Sequence, residues 1–79
     1  MGNGSKKKKR VRRKAVYLIE KVSANVAKYR LLKKFSVEQL EDLTNLNIVR
    51  CESGKYDMNL TTIDILSKYL DVAPTQLLE

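Results

Sequence analysis

The scarcity of residues that break helices constrains this chain more than any other feature. Between Ser5 and Glu79 there is one glycine, Gly54, and one proline, Pro74. Because a β fold with many turns needs glycine and proline at most of its corners, this stretch favours α-helices. The chain has 79 residues, with Leu, Ile and Val as its main apolar side chains. That is enough for one small domain with a modest core.

Apolar side chains recur at spacings of three and four residues from Ala15 to Lys34, the pattern of an amphipathic helix. Ser23 lies inside this stretch and is also a candidate N-cap residue. Two alternatives therefore stay open, one long helix or a short helix followed by a break near Ser23. The apolar stripe consists of Val16, Ile19, Val22, Val26 and Tyr29.

A second and a third helix follow in quick succession. Ser36 opens the second helix, because a serine followed three residues later by Gln39 forms a capping box. This helix is expected to stop near residues 44–45, where Asn45 tolerates a positive φ. The third helix is expected over roughly 47–53 and ends at Gly54.

Two more helices complete the chain. Asn59 or Thr61 caps the fourth helix, and Pro74 suits the first turn of the fifth. We therefore predict an all-α fold, a compact five-helix bundle over residues 15–79, and we expect the preceding residues 1–14 to form a separate disordered basic tail.

The charge of the chain is unevenly distributed. The net charge is +7, but residues 1–14 carry eight positive charges and no negative one, whereas residues 36–79 carry three positive and eight negative. We call residues 1–14 the basic segment. Like charges this dense repel one another, and they bind a polyanion by releasing its counterions. A solubilising tail and a nuclear import signal are alternatives. The candidate phosphate-binding residues are Lys6, Lys7, Lys8, Lys9, Arg10, Arg12, Arg13 and Lys14.

Several classes of function are excluded or disfavoured. The chain has no histidine and one cysteine, Cys51, which excludes a Ser-His-Asp triad, a histidine-ligated zinc and an internal disulfide. No nucleophile has a base placed near it, so we expect no enzymatic activity, no cofactor and no metal. No apolar run is long enough to span a membrane. We expect a cytoplasmic protein, associated with the nucleoid in a bacterium or nuclear in a eukaryote.

Sequence blocks in the second half occur in the order found in a known family. K-K-F-S-V-E-Q-L (33–40) is similar to the family's "glSqeeLA" entry into its second helix. R-C-E-S-G-K (50–55) is similar to the "r-i-E-x-G-k" that ends its recognition helix. Residues 59–72 and 75–78 are similar to its fourth and fifth helices. On these blocks, residues from about 22 to 78 resemble the lambda-repressor-like helix-turn-helix family, also called the XRE family.

The resemblance implies a helix-turn-helix regulator of transcription that binds double-stranded DNA, commonly as a homodimer. In this family Arg50 faces the phosphate backbone or forms an ion pair, for which Glu41 and Asp42 are the candidates here, and Glu52 bonds within the domain. Asn47 is either a helix cap or a base reader, since asparagine pairs with adenine and arginine with guanine. The DNA-binding residues that the resemblance implies in the domain are Ser36, Asn47, Val49, Arg50, Ser53 and Lys55.

One departure from the family pattern concerns the recognition helix. Leu40 and Ile48 are eight positions apart, about three fewer than in the family, so the N-terminal turn that reads base edges is missing. The position after Ser36 is Val37, which cannot hydrogen-bond a phosphate. An alternative function is therefore a protein-interaction module that keeps the fold without base reading, and a third is RNA or ribosome binding through the basic segment alone.

Overall fold

The computed structural model describes residues 15–79, in which helices follow one another with short connections and no strand. This confirms the predicted all-α fold with five helices. The predicted disorder of residues 1–14 lies outside the described residues. The helices are α1 (Val16–Leu32), α2 (Val37–Thr44), α3 (Ile48–Cys51), α4 (Leu60–Leu70) and α5 (Pro74–Leu78).

One apolar core is shared by all five helices. Helix α1 packs against α4 and α5, while α2 packs against α3 and α4. Helices α1, α3 and α4 each contribute two core residues three or four positions apart, because that spacing keeps side chains on one face. Phe35, Val37, Leu46 and Tyr56 are partly buried against the same core. The core residues are Val22, Val26, Leu40, Ile48, Cys51, Met58, Leu66, Leu70 and Leu77.

Helix α1 is continuous, which decides between the two alternatives that the sequence left open. Ser23 lies in the middle of α1 and is 2% exposed. Its hydroxyl accepts a hydrogen bond at 3.1 Å from the backbone N–H of Gly54, which is remote in sequence. The hydroxyl is therefore occupied by a tertiary contact and does not cap a new helix.

Local capping chemistry sets the other helix ends as expected. The Ser36 hydroxyl accepts from the Gln39 N–H at 3.0 Å, and the Gln39 side chain accepts from the Ser36 N–H at 2.7 Å. Asn59, and not Thr61, caps α4 by accepting from the Thr62 N–H at 2.8 Å. Asn45 ends α2 with a φ of 59°, the left-handed conformation that asparagine tolerates.

Helix α3 is shorter than the sequence predicts, because it ends at Cys51 and not near Ser53. The hydroxyl of Ser53 donates to the carbonyl of Arg50 at 2.8 Å and accepts from the N–H of Lys55 at 3.1 Å. Gly54 follows with a φ of +82°. The hydrogen bonds of Ser53 and the conformation of Gly54 therefore end α3 after a single helical turn.

The first turn of α1 extends past the core. Val16 was expected on the buried stripe, yet it is 59% exposed, and its neighbour Tyr17 is 70% exposed. Helix α1 has 17 residues and α4 has 11, so α1 is longer by about 9 Å. Val16 lines an open groove with Gly54 and Lys55, so much of its side chain stays in contact with water. Among the described residues, no helix combines the length and the apolar character needed to cross a membrane.

Two leucines of α4 provide a test of the core. Leu66 is fully buried, whereas Leu60 is 83% exposed. We expect Leu66→Ala to lower the free energy of unfolding by about 2–5 kcal/mol, because it removes apolar contacts and leaves a cavity. Leu60→Ala should change it by less than about 0.5 kcal/mol. Urea unfolding followed by circular dichroism measures both, and equal losses would contradict the packing described here.

Candidate nucleic-acid interface

Helices α2 and α3 are joined by a tight turn of three residues, Asn45, Leu46 and Asn47. The buried hydroxyl of Thr44 donates to the carbonyl of Leu40 at 2.7 Å and accepts from the N–H of Leu46 at 3.2 Å. Leu46 itself packs against the core. These contacts fix how the chain leaves α2 and enters α3.

The N-terminus of α3 is already satisfied by side chains of the domain. The carboxylate of Glu41 accepts from the N–H of Ile48 at 3.0 Å, and the side-chain oxygen of Asn47 accepts from the N–H of Arg50 at 3.0 Å. Asn47 is thus a helix cap, one of its two expected roles. A carboxylate at this end of the helix interacts favourably with the positive pole of the helix dipole. A DNA phosphate would meet negative charge there.

An ion pair ties the end of α3 to α1. The guanidinium of Arg30 donates to both carboxylate oxygens of Glu52, at 2.6 and 3.1 Å, and to the carbonyl of Phe35 at 3.0 Å. Both side chains are largely buried, at 13% and 14% exposed. Hydrogen bonding to Glu52 raises the pKa of Arg30 above its ordinary value. Glu52 therefore bonds within the domain, as expected from the sequence.

Arg50 lies over an aromatic ring and forms no ion pair within residues 15–79. Its guanidinium carbon is 4.2 Å from the ring centre of Tyr56. The ion-pair alternative, with Glu41 or Asp42 as the partner of Arg50, was therefore wrong; the Glu41 carboxylate accepts from the N–H of Ile48 instead. The alternative contact of Arg50 with phosphate stays a prediction. This role of Tyr56 was not predicted from the sequence. The only local signal for it is that Tyr56 is an aromatic residue six positions after Arg50.

The remaining candidate residues of the domain are solvent-exposed. Val49, which is 65% exposed, and Arg50 and Lys55 are solvent-exposed on α3 and just beyond it. Ser53 is exposed, but its hydroxyl is used in the turn after α3. Ser36 starts α2, eight residues before Thr44, so it lies about 12 Å along the helix axis from the α2–α3 turn.

The start of α1 shares two cavities with the loop that follows α3. Ala15, the first described residue, lines one apolar cavity together with Tyr56, the residue on which Arg50 rests. Val16 lines an adjoining groove with Gly54 and Lys55. The structure thus brings the start of α1 next to the loop that follows α3. The positions of the eight basic residues themselves lie outside the described residues.

The charge of the described domain is close to balanced. Residues 15–79 contain eight basic and nine acidic side chains. Arg30, Lys33 and Lys68 form ion pairs within this range, whereas Arg50 and Lys55 form none there. Within residues 15–79, no three His, Cys, Asp or Glu side chains are grouped as a metal site would require.

Comparison of the chain with protein-family models, with curated proteins and with solved structures finds no match.

Loss of the Arg30–Glu52 pair should destabilise the domain. We expect Arg30→Gln to lower the free energy of unfolding by about 2–4 kcal/mol, because it leaves a largely buried carboxylate without its charged partner. Lys68→Gln is the matched control, since the Lys68–Asp64 pair is exposed and should contribute less than about 0.5 kcal/mol. Urea unfolding of the two variants gives both values, and similar small losses would contradict an anchoring role for Arg30.

The thiol of Cys51 should be protected in the folded state. Cys51 is 1% exposed, and burial, together with the charges of Glu52 and Glu41, raises the pKa of its thiol. We expect a thiol reagent to modify Cys51 at least about 100-fold more slowly in the native protein than in denaturant. Because the folded pKa is raised, this group should also make stability decline in the alkaline range. Fast native modification would show that α3 opens readily.

Proposed function

We propose that this protein binds double-stranded DNA through the basic segment together with the exposed surface of α3 and the turn that follows it. The observation that carries the proposal is that Ala15 lines one cavity with Tyr56, the residue on which Arg50 rests. Lys14 directly precedes Ala15 in the sequence, so the basic segment is attached to the domain at a residue that shares a cavity with Tyr56.

The geometry of Arg50 supports a contact to phosphate. A guanidinium stacked on an aromatic ring is held in place and still presents N–H donors at its edge, which match the oxygens of a phosphate. Arg50 and Lys55 form no ion pair within residues 15–79, so binding a phosphate breaks no existing pair there. Two cations without an ion pair, in a chain that also carries a dense basic segment, favour a polyanion.

Base reading is expected to be weak on this surface. Helix α3 has four residues, and Asn47, a candidate base reader, is used as its cap. Only Val49 and Arg50 project from the helix as exposed side chains. Contacts to phosphates position a protein without reading sequence. We therefore infer an architectural DNA-binding regulator whose affinity is mostly electrostatic.

We further propose that residues 22–78 are a diverged member of the lambda-repressor-like helix-turn-helix family. The α2–turn–α3 arrangement and the Arg30–Glu52 pair support this assignment. Leu40 and Ile48 are about three positions closer together than in the family pattern. The short α3 agrees with this difference in spacing.

Salt dependence tests the DNA proposal. We expect the full chain to bind random duplex DNA, measured by fluorescence anisotropy, with a steep fall of log K against log salt. Replacing one contacting cation by glutamine should lower that slope by about 0.9. We therefore expect this decrease for Arg50→Gln and for Lys55→Gln, and no change for Lys68→Gln, whose side chain is already paired with Asp64.

A second set of measurements separates the domain from the basic segment. Replacing all eight basic residues of the basic segment by glutamine in the full chain should remove most of the slope, up to about 7 units. If this variant loses binding, and Arg50→Gln changes neither the affinity nor the salt slope, the basic segment alone binds nucleic acid. If the wild-type chain does not bind duplex DNA at low salt, the proposal is wrong.

Binding of a protein partner is the second candidate function, and exposed apolar side chains favour it. Leu31 and Leu32 at the end of α1 are 63% and 65% exposed, and Leu43 of α2 is 47% exposed. A partner that covers exposed apolar side chains removes them from water, which favours association. The excess of acidic residues in the C-terminal half also suits this function better than contact with DNA.

A further inference from the structure

A cavity of about 170 Å³ lies where the α2–α3 turn, α3, the loop after α3 and the start of α4 meet. Its lining includes one positively charged side chain, that of Arg50, and no acidic one. We call it the Arg50 cavity. A cavity of comparable volume in another protein holds a benzene molecule, so this one has room for a small organic ligand that contains one ring.

The cation of the Arg50 cavity is held in place and has no counter-ion within residues 15–79. The guanidinium of Arg50 lies over the ring of Tyr56, with its central carbon 4.2 Å from the ring centre. The ion pairs within this range are formed by other residues. Stacking uses the flat face of a guanidinium and leaves the N–H donors at its edge, which match the two oxygens of a carboxylate.

Amide and hydroxyl groups add further hydrogen-bond donors to the same cavity, since Asn45, Asn47 and Thr62 also line it. The side-chain oxygen of Asn47 already accepts from the N–H of Arg50. What Asn47 can offer a ligand is therefore its amide nitrogen, which carries N–H donors only. Thr62 lies in the first turn of α4, near the positive pole of that helix dipole. The polar part of the lining thus favours a negatively charged ligand.

The carboxylates that act on this region are held by other partners. Burial raises the pKa of Cys51, which lines the cavity, and the charges of Glu52 and Glu41 raise it further. Glu52 is bonded by the guanidinium of Arg30, and Glu41 accepts from the N–H of Ile48. Neither glutamate lines the cavity. A bound anion would therefore meet no carboxylate in the wall.

The rest of the lining is apolar. Cys51 belongs to the core, and Leu46 and Tyr56 are partly buried against it. An inorganic anion would leave this apolar surface in contact with water, whereas an apolar group attached to the anion would cover it. A ligand that uses both parts of the lining is a carboxylate with a small apolar body.

We propose that the Arg50 cavity binds a small organic carboxylate. The carboxylate accepts hydrogen bonds from the guanidinium of Arg50, and the apolar body lies against Leu46 and Cys51. Arg50 is also the residue through which we propose contact with a DNA phosphate, so the same ligand would compete with DNA for it. That consequence rests on the proposed function, whereas binding of the ligand does not.

A titration of the full chain without DNA, followed by the nuclear magnetic resonance signals of its backbone amides, tests the proposal with three probes. Benzoate has both a ring and a carboxylate. We expect it to saturate with a dissociation constant of about 1–10 mM, the range of small fragments, and to shift the signals of Asn47, Arg50 and Thr62. Benzyl alcohol keeps the ring without the charge, and acetate keeps the charge without the ring. Each should bind at least about tenfold more weakly than benzoate.

Two variants locate the charge that binds benzoate. Arg50→Gln should raise the dissociation constant at least about tenfold, because it removes the charged hydrogen bonds. Lys55→Gln is the matched control and should stay within about twofold of the wild type. Lys55 is also exposed and forms no ion pair within residues 15–79, but it does not line the cavity. Circular dichroism shows whether each variant keeps its helices.

A further variant separates the cavity from the basic segment, which could also attract an anion. Replacing the eight basic residues of the basic segment by glutamine should leave the dissociation constant of benzoate within about threefold of the wild type, since small changes in distant charge are screened by salt. The same variant is expected to lose DNA binding. The two proposals can therefore fail independently of each other.

Four results would overturn the proposal. The first is a wild-type chain that benzoate does not saturate by about 100 mM, where binding is weaker than a fragment of this size should give. The second is benzyl alcohol or acetate binding as tightly as benzoate. The third is an equal effect of Arg50→Gln and Lys55→Gln. The fourth is loss of benzoate binding when the charges of the basic segment are removed.

Discussion

The ion pair between Arg30 and Glu52 is the interaction on which the arrangement of the first three helices depends. One guanidinium bonds both oxygens of Glu52 and the carbonyl of Phe35. It therefore joins α1, the link between α1 and α2, and the residue that ends α3. Both side chains are largely buried, so each charge needs the other to offset its loss of hydration. A four-residue helix makes too few hydrogen bonds to be stable alone. Helix α3 keeps its position because the Arg30–Glu52 pair anchors its end, while Glu41 and Asn47 accept hydrogen bonds from its first N–H groups.

Tyr56 connects the start of α1 to the arginine through which we propose contact with DNA. One face of its ring supports the guanidinium of Arg50, and the same residue lines an apolar cavity with Ala15. One side chain therefore contributes both to the position of Arg50 and to the wall of a cavity shared with the start of α1.

The parts of the fold that local chemistry controls could be predicted from the sequence. Ser36 with Gln39, Asn45, Asn59 and Pro74 act within a few residues of themselves, so their roles as caps, stops and starts follow from their spacing. The candidate site was predicted less completely. Val49, Arg50 and Lys55 are exposed as expected, but the partner of Arg50 is Tyr56 and not Glu41 or Asp42. Which acceptor an arginine reaches depends on the path of the loop after α3, and that path depends on contacts with α1.

The sequence by itself determined the helical class, the number of helices, most of their ends and the separation of charge between the two ends of the chain. These properties depend on the scarcity of glycine and proline, on apolar spacing and on residue counts, all of which are local or additive. Only the tertiary structure decided that Ser23 would not break α1 and that the start of α1 would share a cavity with Tyr56. Both depend on groups far apart in the chain, such as the Ser23 hydroxyl and the Gly54 N–H, whose contact exists only once the helices have packed.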